Sequence, residues 1–351
     1  MVKFTWNSFI DIIVAKKKFG VQMKVVTKAE LDECFDYINK CRAEVAKRVV
    51  GQKDVVDGII TALIAGGHVL LEGVPGLAKT LAVKTFADVS GLEYKRIQFT
   101  PDLLPADVSG TLIYEQGTGK FSVRKGPVFS NLVLADEINR APAKVQSALL
   151  EAMAEHQVTI GETTYKLNEP FFVLATQNPI EQEGTYSLPE AELDRFLLKL
   201  LISYPTPEEE ISIIKSEGRA NEIPVNKVFS AAALQKCRDA VDAVTVADKM
   251  LAYIVSIVNF TRADVALKMN RRNDIQRYIS FGVSPRAGIA LLRCAKVHAL
   301  FENRSFVLAE DVQAVAKPVL RHRLVLNYEA AADNISADSL ISKIIDLMPV
   351  P

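Results

Sequence analysis

Two groups of polar side chains, each placed directly after an apolar run, could together act on a phosphate-bearing substrate. Residues 73–80 read GVPGLAKT, a glycine- and proline-containing stretch that ends in Lys79 and Thr80. Asp136 and Glu137 follow a second apolar run. A lysine and a hydroxyl after a tight loop suit an anion and its metal ion, and paired carboxylates suit a metal ion and a water molecule. The spacing therefore predicts phosphoryl chemistry.

The stretch at residues 73–80 matches the phosphate-loop pattern G-x-x-x-x-G-K-[ST], except that Ala78 stands at the second glycine. In such a loop, backbone N–H groups point at phosphate oxygens and a helix N-terminus lies behind them. Lys79 is predicted to reach the β- and γ-phosphates of ATP, and Thr80 to bind Mg²⁺ through its hydroxyl. Alanine is tolerated where φ is negative. The alternative is a Gly/Pro loop before an ordinary helix.

The two carboxylates would lie where a buried strand ends, at the edge of the sheet where open α/β folds bind ligands. Asp136 is predicted to anchor Mg²⁺, and Glu137 to orient and activate the attacking water. The alternative is that both cap the helix that starts near residue 141. Asn178 ends another apolar run and could hydrogen-bond the water or the γ-phosphate, although an Asn-Pro turn explains it equally simply. Arg140 is interpreted as a solvent-exposed charge near a helix end.

The elements that must position these residues follow from the apolar pattern. Between about residues 50 and 203, short apolar runs alternate with helical stretches, which predicts a mostly parallel sheet with helices on both faces. The predicted strands are residues 68–71, 132–135, 171–175 and, as an outer strand, 196–201. After the YPTP stretch at 204–207 the apolar period becomes helical, notably over 287–301 and 309–320. We therefore expect an α/β domain followed by a smaller helical one.

Composition sets the broad class. The chain has 351 residues, of which 49% are apolar and 24% charged, so it can bury a large core. Lys+Arg and Asp+Glu balance at 42 each, which gives no basic excess for nucleic acid. No apolar stretch is long enough to span a bilayer, and no signal peptide is evident. The four cysteines lack metal-site spacing and are interpreted as buried thiols, which predicts a reducing, cytoplasmic location. Whether Met1 or Met23 is the natural start is left open.

Taken in order, the motifs resemble those of AAA+ ATPases. The phosphate loop, the paired carboxylates and Asn178 are followed by LDRF at 193–196 and SPRA at 284–287. From about residue 50 to the end, the chain looks like the MoxR family, in which Ala78 is tolerated. The resemblance implies a P-loop AAA+ core with a doubly wound parallel sheet, followed by an all-helical lid domain. The expected divisions are an N-terminal, mostly helical extension at 1–48, the core at 49–205 and the lid at 206–351.

The resemblance also implies roles for individual residues. MoxR-like proteins form rings, usually hexameric, with ATP between subunits, so Arg195 is similar to the arginine finger that reaches the neighbour's γ-phosphate. Arg286 matches the second sensor, acting on its own or on the neighbour's site. Asn178 matches the first sensor, and residues 49–52 resemble the segment that lines the adenine. The expected nucleotide-contacting residues are Val50, Gly51, Gly73, Val74, Pro75, Gly76, Leu77, Ala78, Lys79, Thr80 and Leu81.

Two β-hairpins are predicted, because β-forming runs flank turn glycines at 111–124 and 158–166. By resemblance they correspond to inserts that face the centre of the ring, where they contact a client protein; the alternative is a simple decoration of the sheet edge. Three functions remain open. The first is a chaperone-like ATPase that activates client proteins; in the MoxR family such ATPases often work beside a partner with a von Willebrand factor A domain. The second is a nucleic-acid-dependent motor, and the third is the ATPase subunit of a metal chelatase.

Overall fold

The computed structural model describes residues 26–74, 79–117, 119–179, 185–262 and 275–351. Its helices are α1 (Lys28–Ala46), α2 (Lys53–Ala65), α3 (Lys79–Ser90), α4 (Pro105–Ser109), α5 (Ala143–Glu155), α6 (Glu190–Leu193), α7 (Pro207–Lys215), α8 (Ala231–Ala243), α9 (Asp248–Phe260), α10 (Pro285–Phe301), α11 (Ala309–Leu320), α12 (Tyr328–Ala332) and α13 (Ala337–Leu347). Its strands are β1 (Val69–Glu72), β2 (Tyr94–Gln98), β3 (Gly110–Glu115), β4 (Lys120–Lys125), β5 (Leu132–Asp136), β6 (Gln157–Ile160), β7 (Thr163–Lys166), β8 (Phe172–Gln177), β9 (Leu198–Leu201), β10 (Ile279–Phe281) and β11 (Val325–Leu326).

A parallel sheet of five strands, in the order β2-β5-β8-β1-β9, forms the centre of the core. Every residue of β5 and the first five of β8 are buried, because helices cover both faces and the strands are apolar throughout. The four predicted strands are confirmed, with ends shifted by one or two residues, and β9 is indeed an outer strand. The other outer strand, β2, was not predicted.

Parallel pairing gives the sheet two chemically different edges. We call the edge where β1, β5 and β8 end the carboxyl edge, and the edge where β1 and β9 begin the amino edge. At the amino edge the Leu197 N–H donates to the His68 carbonyl at 2.8 Å. At the carboxyl edge the Ile202 N–H donates to the Glu72 carbonyl at 2.8 Å. These two bonds fix the segments before and after β9 against the two ends of β1.

Both predicted hairpins are confirmed. Strands β3 and β4 pair antiparallel from Gly110↔Lys125 to Glu115↔Lys120, and β6 pairs with β7 from Gln157↔Lys166 to Ile160↔Thr163. The hairpins touch, since a Cβ added at Gly161 in the second turn would lie 2.7 Å from the Leu112 side chain of the first. The apolar side chains that the first hairpin exposes are Leu112, Ile113, Tyr114 and Phe121.

The chain beyond α7 is helical, as predicted, with the addition of a short antiparallel ribbon of β10 and β11. Helices α10 and α11 form its centre, and α10 also packs against α2 and α9. Helix α1 starts at a capping box, in which the Glu30 N–H donates to Thr27 Oγ1 at 3.2 Å and the Thr27 N–H to Glu30 Oε2 at 2.8 Å. The predicted fold class, a doubly wound parallel sheet followed by a smaller helical domain, is confirmed. None of the described helices has both the length and the apolar character needed to cross a bilayer.

Candidate nucleotide site

The phosphate-loop lysine lies at the carboxyl edge. Lys79 is the first residue of α3, and its Nζ donates to the Gly73 carbonyl and, at 3.4 Å, to the Gln177 carbonyl. The ammonium group is therefore held over the ends of β1 and β8. Thr80 and Leu81 follow in the first turn of α3. Pro75, Gly76, Leu77 and Ala78 lie outside the described residues.

Gly73, at the start of this loop, lies directly against Ile202. A Cβ added at Gly73 would lie 2.9 Å from the Ile202 Cβ and 3.2 Å from the Ile202 carbonyl oxygen, so a larger residue would push the loop away. Residues 49–52, the segment predicted to line the adenine, lie near the same end of β9. Gln52 Nε2 donates to the Ser203 carbonyl at 3.1 Å, and Gly51 takes a left-handed φ of +74° against the Glu209 side chain. Val50 and Gly51 are therefore next to the strand end that borders Gly73.

The buried hydroxyl of Thr176 links Asp136, the predicted metal ligand, to the backbone of Glu137, the predicted catalytic base. Thr176 Oγ1 donates to Asp136 Oδ1 at 2.7 Å and accepts the Glu137 backbone N–H at 2.8 Å. Thr176 has no exposed surface, and Asp136 is 9% exposed. One hydroxyl on β8 therefore fixes both the side chain at the end of β5 and the backbone of the following residue.

Glu137 is held in an unusual conformation by its neighbours. Its backbone is left-handed, with φ 57° and ψ 50°, which a residue with a side chain rarely adopts and which is common at functional sites. Gln98 Nε2 donates to Glu137 Oε2 at 2.9 Å. Arg140, expected to be a solvent-exposed charge, places its Nε 3.4 Å from the same oxygen. The carboxylate thus lies at the carboxyl edge, oriented by an amide from β2 and a guanidinium from its own turn.

The oxygens at this edge fit Mg²⁺. Asp136 Oδ2 accepts hydrogen bonds from Arg96, at 3.1 Å from Nε and 2.6 Å from Nη2, so the carboxylate is matched to positive charge. Mg²⁺ in nucleotide sites takes one or two protein oxygens and completes its shell with water and phosphate. Asp136 and Thr80 would supply such a pair. The described residues include no cluster of three or more His, Cys, Asp or Glu side chains that could hold a metal ion.

The two predicted arginines are together, but at the amino edge. Arg195 precedes β9, and Arg286 lies in the first turn of α10. Asp194 lies between them, with its Oδ2 4.0 Å from Arg286 Nη1 and 3.1 Å from the Ser284 hydroxyl, which caps α10. Arg195 and Arg286 line one cavity of about 220 Å³. The helical domain therefore meets the core at this edge.

Arg323 holds this junction in place. Its Nε donates to Asp194 Oδ1 at 2.7 Å, and its Nη atoms donate to the Phe196 carbonyl at 2.6 Å and the Leu197 carbonyl at 3.1 Å. The side chain is only 4% exposed, and burial lowers the pKa of the guanidinium while Asp194 raises it. A planar, five-donor group suits such a buried set of acceptors. The chain segment that carries Arg195 is therefore pinned to the end of α11.

The structure thus divides the predicted site residues into two groups. Lys79, Asp136, Glu137 and Asn178 meet at the carboxyl edge, whereas Arg195 and Arg286 lie at the amino edge. His68 and Gly73 bracket β1, and at about 3.3 Å per residue the two edges are roughly 16 Å apart. An arginine side chain does not span that distance.

Sequence reasoning missed the residues that position the others. They are Arg96, Gln98, Thr176, Asp194 and Arg323. Asp194 lies within the LDRF stretch and Thr176 two residues before Asn178, so their place in the sequence was the available signal. Nothing in the pattern around Arg323 distinguishes it from a surface arginine.

The chain is similar to several known proteins. Residues 68–198 match the ATPase family associated with various cellular activities (AAA), and residues 271–344 match the AAA lid domain. The chain is 47% identical to Chaperone MoxR1 of Mycobacterium tuberculosis over 308 residues, which cover 88% of this chain and 81% of that protein. It is 30% identical to Protein MoxR of Methylorubrum extorquens over 92% of this chain and 98% of that protein. It is also similar to a crystal structure from Cytophaga hutchinsonii, with a TM-score of 0.83 and 48% identity over 91% of this chain and 97% of the other.

Proposed function

Because the chain belongs to the MoxR family of AAA+ ATPases, we propose that it hydrolyses ATP between the subunits of a ring and uses the cycle to remodel or activate client proteins. The observation that carries this proposal is the separation of its two groups of site residues. The phosphate-loop lysine and the two carboxylates lie at one edge of the sheet, and Arg195 and Arg286 lie at the other. One subunit alone does not bring them together.

The separation supports a composite site, in which the carboxyl edge of one subunit faces the amino edge of the next. In that arrangement Arg195 acts as the arginine finger, and Arg286 also works on the neighbour's ATP. A head-to-tail interface of this kind closes into a ring when the rotation between subunits permits. A hexamer is the closure that the family resemblance favours.

Each residue at the carboxyl edge has a role that its chemistry suits. Lys79 neutralises phosphate charge, and Thr80 and Asp136 would hold Mg²⁺, which would supply further positive charge to the phosphates. Glu137 accepts a proton from the attacking water, and Asn178 orients that water or the γ-phosphate. The arginines of the neighbour stabilise the charge that develops on the transferred phosphoryl group.

The two hairpins support a protein client. Leu112, Ile113, Tyr114 and Phe121 are exposed apolar side chains, between 38% and 69% accessible, on one small ribbon. Such a patch suits an unfolded or loosely folded segment better than a phosphate backbone. The overall charge is zero, which gives no general attraction to nucleic acid. We further propose a cytoplasmic location, the domain divisions given above, and a partner with a von Willebrand factor A domain.

Hydrolysis as a function of protein concentration tests the composite site. Specific activity should rise with concentration in the range where sedimentation shows ring formation. Glu137→Gln should bind ATP and hydrolyse it about 10² to 10⁴ times more slowly, whereas Lys79→Ala should not bind ATP. Constant specific activity of a monomer at every concentration would overturn the proposal.

The client is tested with the Glu137→Gln ring held in its ATP state. The trapped ring should retain the von Willebrand factor A partner, and release it when nucleotide is removed, because only a difference in affinity between states can drive release. Replacing Tyr114 and Phe121 by serine should weaken retention while ATP binding is unchanged. Stimulation of hydrolysis by single-stranded DNA, without retention of protein, would favour the nucleic-acid motor instead.

A further inference from the structure

The cavity at the amino edge is strongly cationic. Its lining includes four arginines, which are Arg195, Arg286, Arg293 and Arg323, and one carboxylate, Asp194. Asp194 is already engaged, because its Oδ1 accepts from Arg323 and its Oδ2 from the Ser284 hydroxyl. Little negative charge is therefore left in the cavity lining to balance the guanidinium groups other than that of Arg323.

Arg293 lines this cavity together with Arg286. It lies seven residues after Arg286 on α10, which is two turns, so both side chains leave the same face of the helix. Arg293 is exposed, and like Arg195 it forms no ion pair with any carboxylate of the described residues. Arg286 has only the 4.0 Å contact with Asp194. Three guanidinium groups thus line one cavity, and of these only Arg286 has a carboxylate within 4.0 Å.

Like charges in one cavity repel each other, and an anion that enters the cavity would relieve this repulsion. Guanidinium groups bind phosphate oxygens well, because their planar donors match two oxygens at once. Arg286 and Arg293 are about 10 Å apart along the helix, a separation that two long side chains can close around an extended phosphate chain. The required ligand is a polyphosphate that approaches from outside the subunit.

We propose that Arg293 binds the phosphate chain of the ATP held by the next subunit, as a third guanidinium beside Arg195 and Arg286. This proposal rests on the composite site described above. It adds a nucleotide-binding residue that acts between subunits, and it predicts that α10 contributes two contacts rather than one.

Nucleotide affinity separates this role from an effect on hydrolysis. The Glu137→Gln ring binds ATP without rapid turnover and serves as the background. Adding Arg293→Ala should weaken ATP binding by about tenfold, as expected for one partly screened charge near phosphate. Adding Arg293→Lys should weaken it less, because the charge remains. Lys249→Ala, which removes an exposed charge from α9 of the same domain, should change nothing.

Mixing subunits tests whether Arg293 acts on its neighbour. Subunits with Glu137→Gln and Arg293→Ala are mixed with an excess of Lys79→Ala subunits, which retain all their arginines but do not bind ATP. Affinity should return to that of the Glu137→Gln ring, because each ATP then faces an intact Arg293. An affinity that stays low on mixing, or an unchanged affinity in the Arg293→Ala ring, would overturn the proposal.

A parallel mixture distinguishes failure of this proposal from failure of the composite site. Arg195→Ala subunits mixed with Lys79→Ala subunits should regain hydrolysis that neither variant shows alone. If this mixture is active while the Arg293 mixture stays weak, the composite site stands and the role of Arg293 is wrong. If neither mixture recovers, both proposals fall.

Discussion

Replacing Thr176 by valine removes one hydroxyl while it preserves the shape and β-branching of the side chain. That hydroxyl donates to Asp136 at 2.7 Å and accepts the Glu137 N–H at 2.8 Å, in a place without solvent. A hydrogen bond to a charged acceptor contributes about 1.5–3 kcal/mol, and an unpaired buried N–H costs about 1–3 kcal/mol. We expect the variant to be less stable by roughly 3 kcal/mol.

The activity of the folded protein should also fall, because two residues of the site lose the hydroxyl that positions both. Asp136 is then held only through Oδ2, by Arg96, so its Oδ1 can turn away from the metal position, and the left-handed backbone at Glu137 loses a bond that holds it. We expect turnover to fall at least tenfold and the half-saturating Mg²⁺ concentration to rise by about the same factor. The turnover rate and the half-saturating Mg²⁺ concentration are both measured by following ATP hydrolysis over a range of Mg²⁺ concentrations at saturating ATP.

Two controls isolate the cause. Thr176→Ser keeps the hydroxyl and should remain close to the original protein in Mg²⁺ dependence. Thr261→Val loses a matching donor and acceptor bond elsewhere, since the buried Thr261 hydroxyl donates to the Val258 carbonyl at 2.7 Å and accepts the Val283 N–H at 3.1 Å. It should also be less stable, by a smaller amount because its acceptor is uncharged, without a shift in Mg²⁺ dependence. A Thr176→Val protein with normal turnover and normal Mg²⁺ dependence would refute the reasoning.

Two further predictions concern stability. His68 accepts the Val173 N–H at Nδ1 and contacts the Met153 carbonyl through Nε2, and burial lowers its pKa to about 4. The unfolded chain therefore binds a proton at this histidine more tightly than the folded chain does. The free energy of unfolding keeps its full value above about pH 6.5 and falls by about 3 kcal/mol as the pH approaches 4. Urea unfolding at several pH values should show a smaller fall in His68→Gln. Arg323→Lys keeps the charge but not the planar donors, so we expect a loss of about 2 kcal/mol and weaker hydrolysis. Thermal unfolding together with the rate tests this, and an unchanged melting temperature would contradict it.

The sequence predicted the parts of the fold in which side-chain type and burial agree. The strands β1, β5 and β8 are apolar runs because helices cover both their faces, and their centres were located correctly. Strand β2 reads YKRIQ, and only Ile97 in it is buried. An outer strand with so little buried surface has no apolar run to detect, so its position had to come from tertiary structure. The ribbon of β10 and β11 is too short to leave a pattern.

The candidate site divides in a similar way. Lys79, Asp136 and Glu137 are close to glycines or strand ends that make their chemistry visible in the sequence. The role of Thr176 depends on which strand lies beside β5, and a threonine in a strand is otherwise ordinary. The question whether Arg286 faces its own phosphate loop depends on where the helical domain meets the sheet. Spacing along the chain carries no information about that contact.

The left-handed backbone at Glu137 implies a conflict between activity and stability at this position. A glutamate there is strained by about 1 kcal/mol or more, whereas glycine adopts φ 57° freely and asparagine nearly so. Random substitution followed by selection for thermal stability alone should therefore enrich glycine and asparagine at position 137. On the role proposed for Glu137, the enriched proteins would be more stable and would hydrolyse ATP very slowly, because neither residue can take a proton from water.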